Sequence, residues 1–122
     1  MLPTVINLEE KFGKFTEQWT PKVVAQVNDF QFKLARLQGD FVWHRHADTD
    51  EVFQVVRGEL RVDFRDGSVA LSAGEMLVIP AGVEHKPYAE KECQVMLFVR
   101  TGTINTGDAQ ESALTNDSSQ WV

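Results

Sequence analysis

Cysteine occurs once in this chain, at Cys93, so no intrachain disulfide can form and no cysteine-based zinc site can be assembled. The thiol lies in an apolar run with Val95, Met96 and Leu97, a setting for a small buried hydrophobe and not for a reactive nucleophile. Long hydrophobic runs are lacking too. No apolar stretch approaches the roughly 18 residues of a membrane span, and the first residues carry neither the positive charge nor the apolar length of a secretory leader. The expectation is a cytoplasmic protein with no membrane partner. Positive charge is also scarce: Lys and Arg number 12 against 18 Asp and Glu, a net charge of -6 and a pI near 5.0, with no basic cluster. Such a balance repels a phosphate backbone, so no nucleic acid is expected as a partner. No Walker or dinucleotide glycine motif is present, and Gly102 to Gly107 lacks the lysine of a phosphate loop, which makes it a turn.

What is present suits one globular domain. The 122 residues suffice for a single hydrophobic core and leave no room for a second catalytic domain. Asn7-Leu8-Glu9-Glu10 reads as an N-cap with a capping-box glutamate, opening a short helix that Gly13 closes. Phe12, Phe15 and Trp19 recur at spacings of three and four, an apolar stripe for packing. Beyond Pro21, period-two alternation and β-branched or aromatic residues predict strands over 22–28, 30–38, 41–46, 51–57, 59–65, 69–72, 76–79 and 93–100. Turn residues separate them, as at Asn28-Asp29, Gly39-Asp40, Arg57-Gly58, Asp66-Gly67 and Ala73-Gly74. Many short strands joined by tight turns predict an all-β, antiparallel sandwich or barrel. The organisation expected is an N-terminal helix and arm over 1–21, a barrel over 22–107 and a polar C-terminal tail over 108–122, whose apolar end, Trp121-Val122, is suited to pack on the body or a neighbouring subunit.

All three histidines fall within residues 44–85, two of them in His44-Arg45-His46. In extended chain, positions i and i+2 face the same way, so both imidazoles can reach one point. Glu51 follows across an acidic turn, where a hairpin brings it back beside the pair. His85 stands just past Pro80-Ala81-Gly82, a turn that can aim it into a barrel mouth. Each histidine alone is a weak signal. Together, three imidazoles and one carboxylate suit a borderline divalent ion such as Fe, Mn, Ni, Cu or Zn, and four protein ligands on an octahedral ion leave two positions for a small molecule.

At this point the sequence resembles the cupin family. Gly39-Asp-Phe-Val-Trp-His44-Arg-His46-Ala-Asp-Thr-Asp-Glu51-Val-Phe-Gln-Val-Val-Arg-Gly58 is similar to its first motif, and Gly74-Glu-Met-Leu-Val-Ile-Pro80-Ala-Gly82-Val-Glu-His85 to its second. Gly39 stands one residue closer to His44 than the usual pattern, and Ala89 replaces the asparagine that often ends the second motif. The resemblance implies a double-stranded β-helix, the cupin or jelly-roll barrel, with His44, His46, Glu51 and His85 converging on one divalent transition metal (Fe, Mn, Ni or Zn). It also implies a small-molecule ligand and a metal-dependent enzyme, dioxygenase-like or sugar-isomerase-like. The alternatives are a non-catalytic binding or sensor cupin and a barrel merely stapled by its metal.

Alternation predicts the pocket lining. If His44 and His46 face inward, so does Val42; if Glu51 does, so do Phe53 and Val55; Leu60, Val62 and Phe64 share one face of the next strand, and Tyr88 sits at the rim near His85. The apolar stretch Val23, Val24 and Val27 and the N-terminal aromatics exceed what one small barrel needs, which predicts a homodimer.

Overall fold

The computed structural model describes residues 1–122. The first element, α1 (Leu8–Phe12), begins where the side chain of Asn7, in extended conformation, accepts a hydrogen bond from the Glu10 amide at 2.9 Å, and Gly13 caps its end. The helix is short and ends at Gly13, as the cap residues predict. Phe15 lies beyond it, and Trp19 has a positive φ of 57°. The three aromatics are buried all the same, in two different places. Phe12 and Phe15 pack with Val24 and Leu34 in a small cluster, while Trp19 joins the main core, stacked on Phe41 with ring centroids 4.5 Å apart.

Seven strands follow: β1 (Lys22–Val27), β2 (Phe30–Asp40), β3 (Glu51–Arg57), β4 (Glu59–Phe64), β5 (Gly67–Ser72), β6 (Met76–Ile79) and β7 (Lys86–Arg100). All pair antiparallel, in the order β1-β2-β7-β3-β6, with β4 joining β5 to β7. β7 is the spine of the fold, because its first residues pair with β4 and its last with β3, while β2 runs beside it throughout. A register shift between Leu37 and Gly39 bends this ribbon and turns the sheet back on itself. The inward faces enclose one core that includes Ala35, Leu37, Phe53, Val55, Val62 and Val95. Gly58, at φ 90°, makes the β3–β4 turn so close to β7 that a Cβ there would lie 3.0 Å from the Cβ of Cys93. No helix is long and apolar enough to cross a membrane.

Two strand expectations are corrected. Residues 41–46 are extended but form no strand; only His44 makes a bridge, to His85. Their backbone groups go to separate partners: the Phe41 amide to Pro87 O, the His44 amide to His85 O, the Arg45 amide to the Asp108 carboxylate, and His46 O to the Gly82 amide. Pro87 has no N–H to return, so a continuous ladder cannot form there. The last strand, conversely, starts at Lys86 and not at 93. The exposed run Glu90-Lys91-Glu92 breaks the apolar alternation, yet the pairing of Tyr88 with Asp40 and Arg61 keeps it in the sheet.

The polar C-terminal segment is docked. Its end runs beside β1, with the Val23 amide donating to Gln120 O at 2.8 Å and the Val122 amide donating to Val23 O at 3.1 Å. Further back, Asn105 ties Trp19 O and Leu114 O with its amide nitrogen and accepts the Asn116 amide. Asp108 clamps Arg45 through its backbone and guanidinium. Gly107 permits this approach: at φ 54°, any Cβ would stand 2.2 Å from Arg45 O.

Candidate metal centre

The four residues expected to share one ion come together. His44 and His46 lie on the extended segment before β3, Glu51 is the first residue of β3, and His85 precedes β7. Alternation survives without a ladder: His44 and His46 are buried, and Arg45 between them points outward to Asp108. Mutual backbone hydrogen bonds at 2.9 and 3.1 Å lock His85 beside His44. All four residues are at most 6% exposed, and one ligand atom from each lies within 4.8 Å of the others.

Tautomers are set by the backbone. His44 Nδ1 is 2.9 Å from Val42 O and His85 Nδ1 is 2.9 Å from Val83 O. A carbonyl only accepts, so each Nδ1 carries the proton and each neutral ring keeps its Nε2 lone pair. Burial, followed by the His85 charge, lowers the His44 pKa to about 4, so it is neutral at neutral pH. Burial by itself raises the Glu51 carboxyl, but the facing His46 and His85, when they carry a proton toward it, outweigh burial and bring its pKa down to about 2.

The polar atoms at the centre have nothing to bond. His46 Nε2, Glu51 Oε1 and His85 Nε2 are buried without a hydrogen-bond partner, with the two nitrogens 3.4 and 3.3 Å from Glu51 Oε1. Buried polar groups are almost always satisfied, so three orphans converging in one place require an explanation. A single divalent cation satisfies all three, and these separations fit donors roughly 2.0–2.2 Å from one ion. The donor set, nitrogen-rich with one carboxylate, is that of a borderline transition metal.

A narrow cavity opens beside the cluster, with about 40 Å³ available to the centres of water-sized molecules and with His44 and Glu51 in its wall. Of the residues expected to line it, Phe53 does. Val55, Leu60 and Val62 are buried in the core below it, and Val42 and Phe64 pack half-buried against that core. Tyr88 faces another side, its ring under the Arg61 guanidinium at 4.4 Å. The curvature of the bent sheet separates these residues from the cavity, because one strand's inward face turns from site to core along its length. The remaining wall comes largely from β2, β7 and the docked C-terminal segment, and includes Lys33, Leu97, Asn105 and Ser118. Lys33 was detectable in the sequence as the one charge among inward positions 33, 35 and 37. Asn105 and Ser118 carry no local signal; only docking of the polar tail brings them in.

The comparisons with known proteins agree with this geometry. Residues 33–100 match the family model described as the cupin domain. The structure is similar to a cupin-2 domain containing protein from Shewanella frigidimarina, at 56% identity and a TM-score of 0.76, covering 77% of this chain and 92% of that one. The Bacillus subtilis protein YdbB is 37% identical over 87 residues, which cover 70% of this chain and 71% of that protein. A hydroquinone 1,2-dioxygenase, PnpCD, solved with Cd2+ and 4-hydroxybenzonitrile, shares the fold at 20% identity and a TM-score of 0.67, covering 79% of this chain and 72% of that one.

Proposed function

The chain belongs to the cupin family, and on that premise we propose that it is a metal-dependent enzyme acting on a small molecule. In this reading His44, His46, Glu51 and His85 hold one divalent ion, Fe, Mn, Ni or Zn. The observation that carries it is the trio of orphaned atoms, in which both histidine nitrogens face the same Glu51 oxygen and none has a hydrogen-bond partner. When bound, such an ion polarises an oxygen-bearing substrate as a Lewis acid or, as iron, activates dioxygen. The chain's own residues do the rest. Val42 and Val83 carbonyls hold two imidazoles in the ligating tautomer, and Phe41, Phe53, Leu97 and Trp19 give walls that exclude water and strengthen the electrostatics inside. Dioxygenase-like and sugar-isomerase-like chemistry both suit such a centre, and the fold by itself does not choose between them.

Metal analysis of protein purified without chelator or nickel resin, paired with an oxygen-uptake screen over small aromatic and hydroxy-acid substrates, tests the proposal. One equivalent of a transition metal with substrate-dependent oxygen consumption is the expected result. A protein that binds no transition metal refutes it.

The same reading includes a homodimer. Val23 and Val24 are buried within the protomer and Val27 alone of that stretch is exposed, so the apolar β1 supplies little of the surface. Support comes instead from the outer face of the sheet, where Met76 and Val78 are exposed and Phe30, Phe32, Val52 and Phe98 are only half-buried. β6 is also an unpaired edge, which a second copy would cover.

A further inference from the structure

Lys33 is 2% exposed, on the inward face of β2 among apolar neighbours. An ammonium group has three donors and no acceptor. Its single hydrogen bond, to Thr103 O, is 3.5 Å long, and no carboxylate lies within ion-pair distance. Lys22 shows how this chain satisfies a buried lysine when the role is structural. It is 1% exposed, and its Nζ has Glu17 at 2.7 Å and Gln120 at 2.6 Å. Lys33 has nothing of the kind.

Register places it at the site. Lys33, Leu97 and Phe53 form one cross-strand row, and Gln31, Val99 and Glu51 form the next, so Lys33 lies one row along and two strands across from the ligand Glu51. All of these but Gln31 line the same cavity. Its anionic company is Glu51 and Asp117, at long range. Ligation commits the Glu51 charge to the ion, and a divalent cation held by one carboxylate and neutral imidazoles keeps a net positive charge. Metal and lysine then leave the cavity with an excess of positive charge and no resident anion. Burial already lowers the Lys33 pKa, the response of a cation without a close counter-charge. A methionine would fill the same position without that cost, so packing does not account for the lysine.

We propose that Lys33 is the anion-binding residue of this cavity and that the small molecule held there carries a single oxyanion, carboxylate or phenolate, on an apolar body. The apolar body rests on Trp19, Phe41, Phe53 and Leu97, and the oxyanion accepts the two free Nζ donors. This rests on the metal-dependent reading above and narrows its substrate class. Lys33 is a binding residue here and takes no part in proton transfer.

The test is calorimetric titration of benzoate, 4-nitrophenolate and neutral benzamide into the zinc-loaded wild type, Lys33→Met and Lys33→Gln, with metal content measured on the same samples. At least one of the two anions binds the wild type and benzamide does not; which one binds separates carboxylate from phenolate. Both variants keep full metal and lose affinity by about tenfold to a hundredfold, the effect of one charge-assisted hydrogen bond. Lys33→Gln decides the matter should Lys33→Met fold poorly. Undiminished anion binding in the variants, benzamide binding as tightly as benzoate, or no anion binding by the wild type overturns the proposal while full metal content leaves the metal centre standing. A wild type that takes up no metal refutes the metal centre instead, and the same titrations on metal-free protein then decide the role of Lys33.

Discussion

Changing His85→Ala isolates the contribution of the second motif to the site. His85 is 1% exposed, so its removal opens a buried space and frees Val83 O from its hydrogen bond. It also removes one of the three orphaned atoms. The costs and the relief are each on the order of 1–3 kcal/mol, so the metal-free variant folds with a modest change in stability. The bridge to His44 survives, since it is made by the backbone. Metal affinity responds more strongly. Changes one shell further out cost about 10–100-fold, so losing a direct ligand costs at least about 100-fold. With free zinc fixed at a hundred times the wild-type Kd, the wild type gains about 2.7 kcal/mol from binding. The variant, at a concentration near its own Kd, gains about 0.4 kcal/mol. For a domain of this size those gains correspond to metal-induced Tm shifts of roughly 10 °C and roughly 2 °C. Thermal unfolding of both proteins, with and without buffered zinc, reads the difference directly. Equal metal-induced shifts would mean that His85 does not ligate the ion, and the four-residue centre would be wrong.

Two further outcomes follow from the same structure. The metal-free protein loses stability as pH falls from about 6.5 toward 4, because His44 titrates at about 4 in the folded chain against 6.5 when unfolded. The unfolded chain therefore binds the extra proton across that window, and up to about 3 kcal/mol is present above it and lost below. Urea unfolding at pH 7.5 and 4.5 measures this, and a His44→Phe variant with the same pH dependence as the wild type would contradict it. Placing a charge on the outer sheet face with Val78→Lys converts the expected dimer to monomer in sedimentation at micromolar concentration while leaving metal content unchanged; Val78 is exposed and lies outside the metal cluster. A wild type that already sediments at 13.8 kDa removes the dimer from the proposal.

Much of this protein was determined by short stretches of sequence, for a physical reason. Strand periodicity, turn residues and the i, i+2 geometry of His44 and His46 are local properties, so the antiparallel class, the helix cap at Asn7 and the donor set of the centre could be read without coordinates. Even where the strand over 41–46 proved to be extended chain with a single bridge, alternation was enough to aim both imidazoles. What tertiary structure decided depends on pairings between distant residues. The charged run Glu90-Lys91-Glu92 has no strand signal of its own and joins β7 because the strand is held by partners on both sides of it. The cavity wall moved from the strands after Glu51 to β2, β7 and the C-terminal arm: Val55, Leu60 and Val62 lie in the core, while Lys33, Leu97 and Ser118 line the cavity beside the His–Glu cluster. Local chemistry selected the candidate donors; the curvature and register of the sheet selected what surrounds them.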